Sequence, residues 1–114
     1  MHPRQLEHFE KIKRARDATL LWVKSRGIPL VHIEHVATFE EWDRGIEVWF
    51  FFETDNQRLE CESGMISTQL SDFYRHKLQA DGYDFDAFPE IQCRMDSKQN
   101  VDSNFHGSYF YRLR

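Results

Sequence analysis

Apolar positions near the start of the chain recur at the spacing of an α-helix. The residues that fall on one helical side are Leu6, Phe9, Ile12, Leu20 and Val23. Pro3 suits the first turn of such a helix, because its missing N–H would have no partner there. Gly27 and then Pro29 favour its end. We therefore predict a helix that begins near Pro3 and ends before Gly27.

Two β-strands are predicted next. Residues 30–39 are rich in β-branched side chains, and residues 46–54, IEVWFFFET, give the strongest strand pattern in the chain. The short EEWDRG connection between them predicts an antiparallel hairpin. Side chains alternate across a strand. One face of the second strand carries Ile46, Val48, Phe50 and Phe52, and we expect it to face the core under the helices.

The second half of the chain repeats this order. Apolar residues at helical spacing predict a helix from about residue 55 to Ala80, with Gly64 as a break between two shorter segments. Strands are predicted at 90–96 and 108–114, joined by a polar connection. The predicted order of elements is helix, two strands, helix, two strands. This order predicts an α+β fold with a four-stranded, mainly antiparallel sheet and the helices packed on one face. We expect one compact domain over residues 1–114.

The second face of the aromatic strand is the first candidate site. Trp49 and Phe51 lie on it between Glu47 and Glu53. Two glutamates on one face indicate that water reaches it, and exposed aromatic patches are typical of protein interfaces. Phe110, on the last predicted strand, is assigned to the same surface. We expect another protein chain, either a distinct partner or a second copy, to cover this face.

Composition and charge limit the class of protein. A chain that is 40% hydrophobic and 30% charged is typical of a folded globular domain. Its first residues lack the apolar stretch of an export signal, and its longest early apolar run, residues 20–23, is far too short to span a membrane. We expect a cytoplasmic protein with no membrane association. Cys61 and Cys93 are accordingly expected to be free thiols.

The net charge of −4 is unevenly distributed. Residues 1–27 contain seven basic and three acidic side chains, whereas residues 28–114 contain eight basic and sixteen acidic ones. We expect the basic helix to attract the acidic body within the fold. A basic cluster on a helix is also typical of nucleic-acid binding, for which the candidate residues are Lys11, Lys13, Arg14 and Arg16. A sequence pI near 5.8 opposes that alternative.

No motif predicts catalysis, a cofactor or a metal. On a strand His32 and Glu34 share a face and His35 points away, so these three are not expected to converge on a metal ion. The acidic stretch 81–90 lacks the order of a calcium-binding loop. Convergence in space of the remaining reactive residues stays open from sequence; these are His32, Glu34, His35, His76, His106, Cys61 and Cys93.

The prediction from sequence is a small non-catalytic protein-binding domain of the inhibitor or immunity type. This comparison rests on size and charge, not on a motif. A nucleic-acid-associated protein that uses the basic helix is the first alternative. An enzyme with an unrecognised pocket is the second.

Overall fold

The structure is a computed structural model, and it describes residues 3–36, 46–83 and 91–113. Among these residues, no helix combines the length and the apolar character that crossing a bilayer requires. The hairpin turn predicted at residues 40–45 and the acidic residues 84–90 lie outside the described part. The elements in chain order are α1 (Pro3–Arg26), β1 (Leu30–Val36), β2 (Ile46–Phe52), α2 (Asp55–Ser63), α3 (Ile66–Ala80), β3 (Ile91–Ser97), α4 (Lys98–Asn104) and α5 (Tyr109–Arg112).

The described strands form one mixed sheet in the order β1-β2-β3. β1 is antiparallel to β2, with an irregularity between Leu30 and His32, and β3 runs parallel to β2. The α+β class is confirmed, whereas the four-stranded, mainly antiparallel sheet is wrong. The physical reason is the connection: the chain leaves β2 through α2 and α3, and such a helical crossover returns it in the same direction.

The last predicted strand is also wrong, because residues 109–112 form the short helix α5. Ser108 provides the N-cap, and its hydroxyl accepts a hydrogen bond from the N–H of Tyr111 (3.2 Å). The predicted polar connection before it contains α4, which Ser97 caps through a hydrogen bond from the N–H of Asn100 (3.0 Å). Local side-chain caps therefore favour the start of a helix in both segments.

The core lies between one face of the sheet and helices α1 and α3. Val48, Phe50 and Phe52 are fully buried on this face, as predicted; the side chain of Ile46 lies outside the description. The helices contribute Ile12, Val23, Leu70, Tyr74 and Leu78. A continuous apolar layer of this kind is the main source of stability for a domain of this size.

The predicted break at Gly64 is confirmed. α2 ends at Ser63 and α3 begins at Ile66, so the crossover consists of two helices instead of one. α2 begins with a capping box, in which Thr54 accepts from the N–H of Gln57 (3.2 Å) and donates its own N–H to the Gln57 side chain (3.0 Å). The crossover therefore has a fixed start immediately after β2.

Candidate functional site

The second face of the sheet is covered by the C-terminal segment of the same chain. The ring of Tyr109 stacks on His32, with centroids 4.1 Å apart, and meets Phe51 edge-on at 4.7 Å. Phe51 is fully buried as a result. The expectation that Phe51 is exposed is therefore wrong. This chain supplies its own cover where a partner had been expected.

Arg112 is the second anchor of this cover. Its Nε donates a hydrogen bond to Oδ2 of Asp96 (2.5 Å), and its guanidinium carbon lies 4.6 Å from the ring centroid of Trp49. Asp96 is 5% exposed, and its carboxylate also accepts from the N–H of Ser97 (2.8 Å) and from Nδ2 of Asn100 (3.1 Å to each oxygen). Several donors thus compensate the burial of this charge.

The other two residues of α5 point away from the sheet. Phe110 is 71% exposed and Tyr111 is 54% exposed, with their ring centroids 5.9 Å apart. We call this pair the C-terminal aromatic surface. Because Tyr109 and Arg112 are one turn apart and face inward, they hold the outward pair in a fixed orientation. Of these four residues, only Phe110 is assigned to a partner-binding surface from the sequence. The capping serine before them was the signal that could have identified the helix.

Glu47, within the aromatic strand, is not evidence for an open face. The carboxylate of Glu47 accepts from Nε1 of Trp49 (3.1 Å) and pairs with Nε of Arg94 (3.2 Å). Glu47 and Trp49 are both half-buried, and Glu53 is exposed. Side-chain partners therefore satisfy Glu47. Of the five predicted partner-binding residues, Phe110 and Glu53 are the most accessible.

The histidines of β1 lie as the strand alternation predicts. His32 Nε2 and Glu34 Oε1 are 2.8 Å apart on the second face, whereas the ring of His35 stacks near Phe9 of α1 (6.3 Å between centroids). Burial, with a smaller contribution from the charge of Arg16, lowers the pKa of His35. Within the described ranges, no three His, Cys, Asp or Glu side chains are grouped closely enough to hold a metal ion.

The two cysteines are free thiols in protected positions. Cys61 is buried and Cys93 is half-buried. Burial raises the pKa of both thiols, and the hydrogen bond between Cys93 and Ser71 offsets this only in part. A raised pKa keeps a thiol protonated at neutral pH and makes it a poor nucleophile. The other open candidates, His76 and His106, are exposed.

The basic cluster of α1 is largely engaged within the fold. Arg14 Nε lies 2.6 Å from Oδ2 of Asp81, and this hydrogen bond raises the pKa of Arg14. Lys11 donates to a backbone carbonyl just beyond α3 (3.1 Å), and Arg16 pairs with the adjacent aspartate (3.1 Å). Lys13 is exposed. The contacts of Arg14 and Lys11 attach the basic helix to the turn that follows the C-terminal end of α3.

Comparison with protein-family models, curated proteins and solved structures found no match. The functional interpretation therefore depends on the geometry of the second sheet face and its C-terminal cover.

Proposed function

We propose that this chain is a small non-catalytic domain that binds another protein through its C-terminal aromatic surface. The observation that carries the proposal is the exposure of Phe110 and Tyr111 on a helix whose other two residues are anchored. Aromatic side chains dominate the binding energy of many interfaces. A pair held in place before binding loses less conformational entropy when the partner arrives.

The charge distribution favours a distinct, basic partner. Residues 28–114 carry eight basic and sixteen acidic side chains, and exposed Glu53 lies directly after the central strand. Complementary charge accelerates association with a basic protein, whereas a second copy of this chain carries the same net negative charge. An inhibitor or immunity-type protein in the cytoplasm, which neutralises a basic target, matches these properties.

Nucleic-acid binding is the less supported alternative. Arg14, Lys11 and Arg16 already have carboxylate or carbonyl partners within the chain. Phosphate contacts would have to replace these interactions and overcome the net charge of −4. An affinity for RNA that falls steeply as salt rises would favour this alternative.

The test uses two substitutions of equally exposed apolar residues. Phe110→Ser removes part of the C-terminal aromatic surface, and Leu21→Ser on α1 is the matched control, since both side chains are 71% exposed. Immobilised wild-type protein is used to capture partners from lysate of the source organism, and the retained basic protein is then purified and titrated calorimetrically. We expect Phe110→Ser to weaken binding at least about tenfold, which is about 1.4 kcal/mol, and Leu21→Ser to leave it unchanged.

Thermal melts of the free variants separate binding from folding. Both substitutions should change stability by less than about 0.5 kcal/mol, because neither side chain is buried. Equal affinity of Phe110→Ser and wild type would contradict the proposal. So would equal losses in both variants.

A further inference from the structure

A second accessible feature lies on the opposite side of the sheet from α5, along the outer edge of β3. β3 pairs with β2 on one side, and no described strand pairs with its other side. Ile91–Ser97 pair with β2 over seven consecutive residues without a bulge, and the strand contains neither proline nor glycine. A regular edge of this length can accept a further strand.

One backbone group on this strand already has a side-chain partner. Arg75 Nη2 of α3 donates a hydrogen bond to the carbonyl oxygen of Ile91 (2.8 Å). Backbone groups along a strand alternate between its two sides, so Cys93 and Met95 direct theirs to the same side as Ile91. An extended segment that approached this edge would continue the hydrogen bonding that Arg75 begins.

A cavity of about 370 Å³ opens beside this edge. Its floor is formed by Cys93 and Met95 of β3, and its wall by the polar side of α3 together with Glu62 of α2. The wall residues follow helical spacing, with Ser67, Ser71 and Arg75 in one row. Hydroxyl groups on the wall suit polar side chains of a ligand better than large apolar ones.

The charges in the cavity favour a basic ligand. Two carboxylates, those of Glu62 and Asp72, accompany one guanidinium, that of Arg75. Glu62 pairs with Arg58 (3.0 Å), and Arg75 is bonded to Ile91. Asp72 is exposed and has no hydrogen bond or ion pair among the described residues. Asp72 is therefore the carboxylate that is available to a lysine or arginine of a ligand.

We infer that this groove binds an extended, lysine- or arginine-containing segment of another protein, which pairs with the outer edge of β3 while its alternate side chains enter the cavity. Backbone pairing would supply affinity, and Asp72 would supply selectivity for a basic residue. The inference does not depend on the C-terminal aromatic surface, because the groove lies on the other face of the sheet.

The test is an NMR titration of ¹⁵N-labelled protein with the peptide Ac-TKTKTKT-NH₂. We expect shifts of the backbone amides of Cys93, Met95 and Asp72. The same peptide with N-methylated backbone amides keeps the charge but cannot donate strand hydrogen bonds, so it should produce no such shifts. Asp72→Asn should weaken binding about two- to fivefold, the usual range for an exposed ion pair. Glu60→Gln, which removes an exposed carboxylate of α2 outside the groove lining, is the matched control and should leave binding unchanged.

Three results would overturn the inference. The first is the absence of shifts with the lysine peptide. The second is equal binding of the N-methylated peptide, or equal weakening by Asp72→Asn and Glu60→Gln, since attraction would then be non-specific. The third is a set of β3 shifts that depends on protein concentration without peptide, because a second copy would then occupy the edge.

Discussion

Removal of the Arg112 side chain should release the C-terminal cover. Arg112→Ala takes away a hydrogen bond to the buried carboxylate of Asp96 and the cation–π contact with Trp49. A hydrogen bond to a charged group contributes about 1.5–3 kcal/mol, and a partly exposed cation–π contact about 0.5–1 kcal/mol. Asp96 keeps its donors from Ser97 and Asn100, which limits the loss. We expect the free energy of unfolding to fall by about 2–4 kcal/mol.

Urea denaturation of the purified chain measures this change, and hydrogen exchange of the Phe51 and Trp49 amides shows whether the second face opens. Lys98→Ala is the control: Lys98 and Asp102 also form a close ion pair (2.6 Å), but both side chains are about half exposed. Lys98→Ala should leave the denaturation midpoint unchanged, because exposed ion pairs contribute little to stability. If Arg112→Ala were as stable as Lys98→Ala, Arg112 would not anchor the cover.

Three further outcomes follow from burial. Phe51→Ala should lower the free energy of unfolding, measured by urea denaturation, by about 3–5 kcal/mol, as much as Phe50→Ala, because both rings are fully buried. A much smaller loss would mean that the second face is open in solution. Tyr74→Phe should be neutral or stabilising by up to about 1 kcal/mol, because the buried hydroxyl has no hydrogen-bond partner among the described residues; a clear loss of stability would reveal one. Since the pKa of His35 is lowered from 6.5, the unfolded chain binds its proton more tightly, and stability should fall as the pH drops below about 6.5. Thermal melts between pH 7 and pH 5 should show a smaller loss of stability for His35→Gln than for the wild type. An equal reduction by a substitution of exposed His76 would contradict the attribution of this loss to His35.

Long periodic segments of this fold could be predicted from sequence. The first helix and the buried face of β2 follow from apolar spacing alone, and the break between α2 and α3 follows from Gly64. The strand predicted at 108–114 supplied an antiparallel neighbour for β3, whereas the observed helical crossover from β2 makes β3 parallel to β2. The strand propensities of the residues in Ile91–Ser97 do not indicate whether the neighbouring strand is parallel or antiparallel.

The candidate site was only partly predictable, for a related reason. Aromatic residues in SYFYRLR alternate well enough for a strand, but Tyr109 and Arg112 are also one helical turn apart. The inward contacts of these two residues are with positions far away in the chain, including Phe51 and Trp49. The local sequence of this segment is compatible with both a helix and a strand. The distant contacts, together with the Ser108 cap, favour the helix.

The cover of the second sheet face also sets an order of events during synthesis. The aromatic strand Ile46–Phe52 is made well before α5, the element that buries its second face. At about 5–20 residues per second, the roughly 60 residues between them take about 3 to 12 s to translate. During that interval Trp49 and Phe51 lack the cover that α5 provides. A ribosome that stalls before Tyr109 would therefore carry a nascent chain with an exposed aromatic strand, which is the kind of surface that chaperones bind and that promotes aggregation.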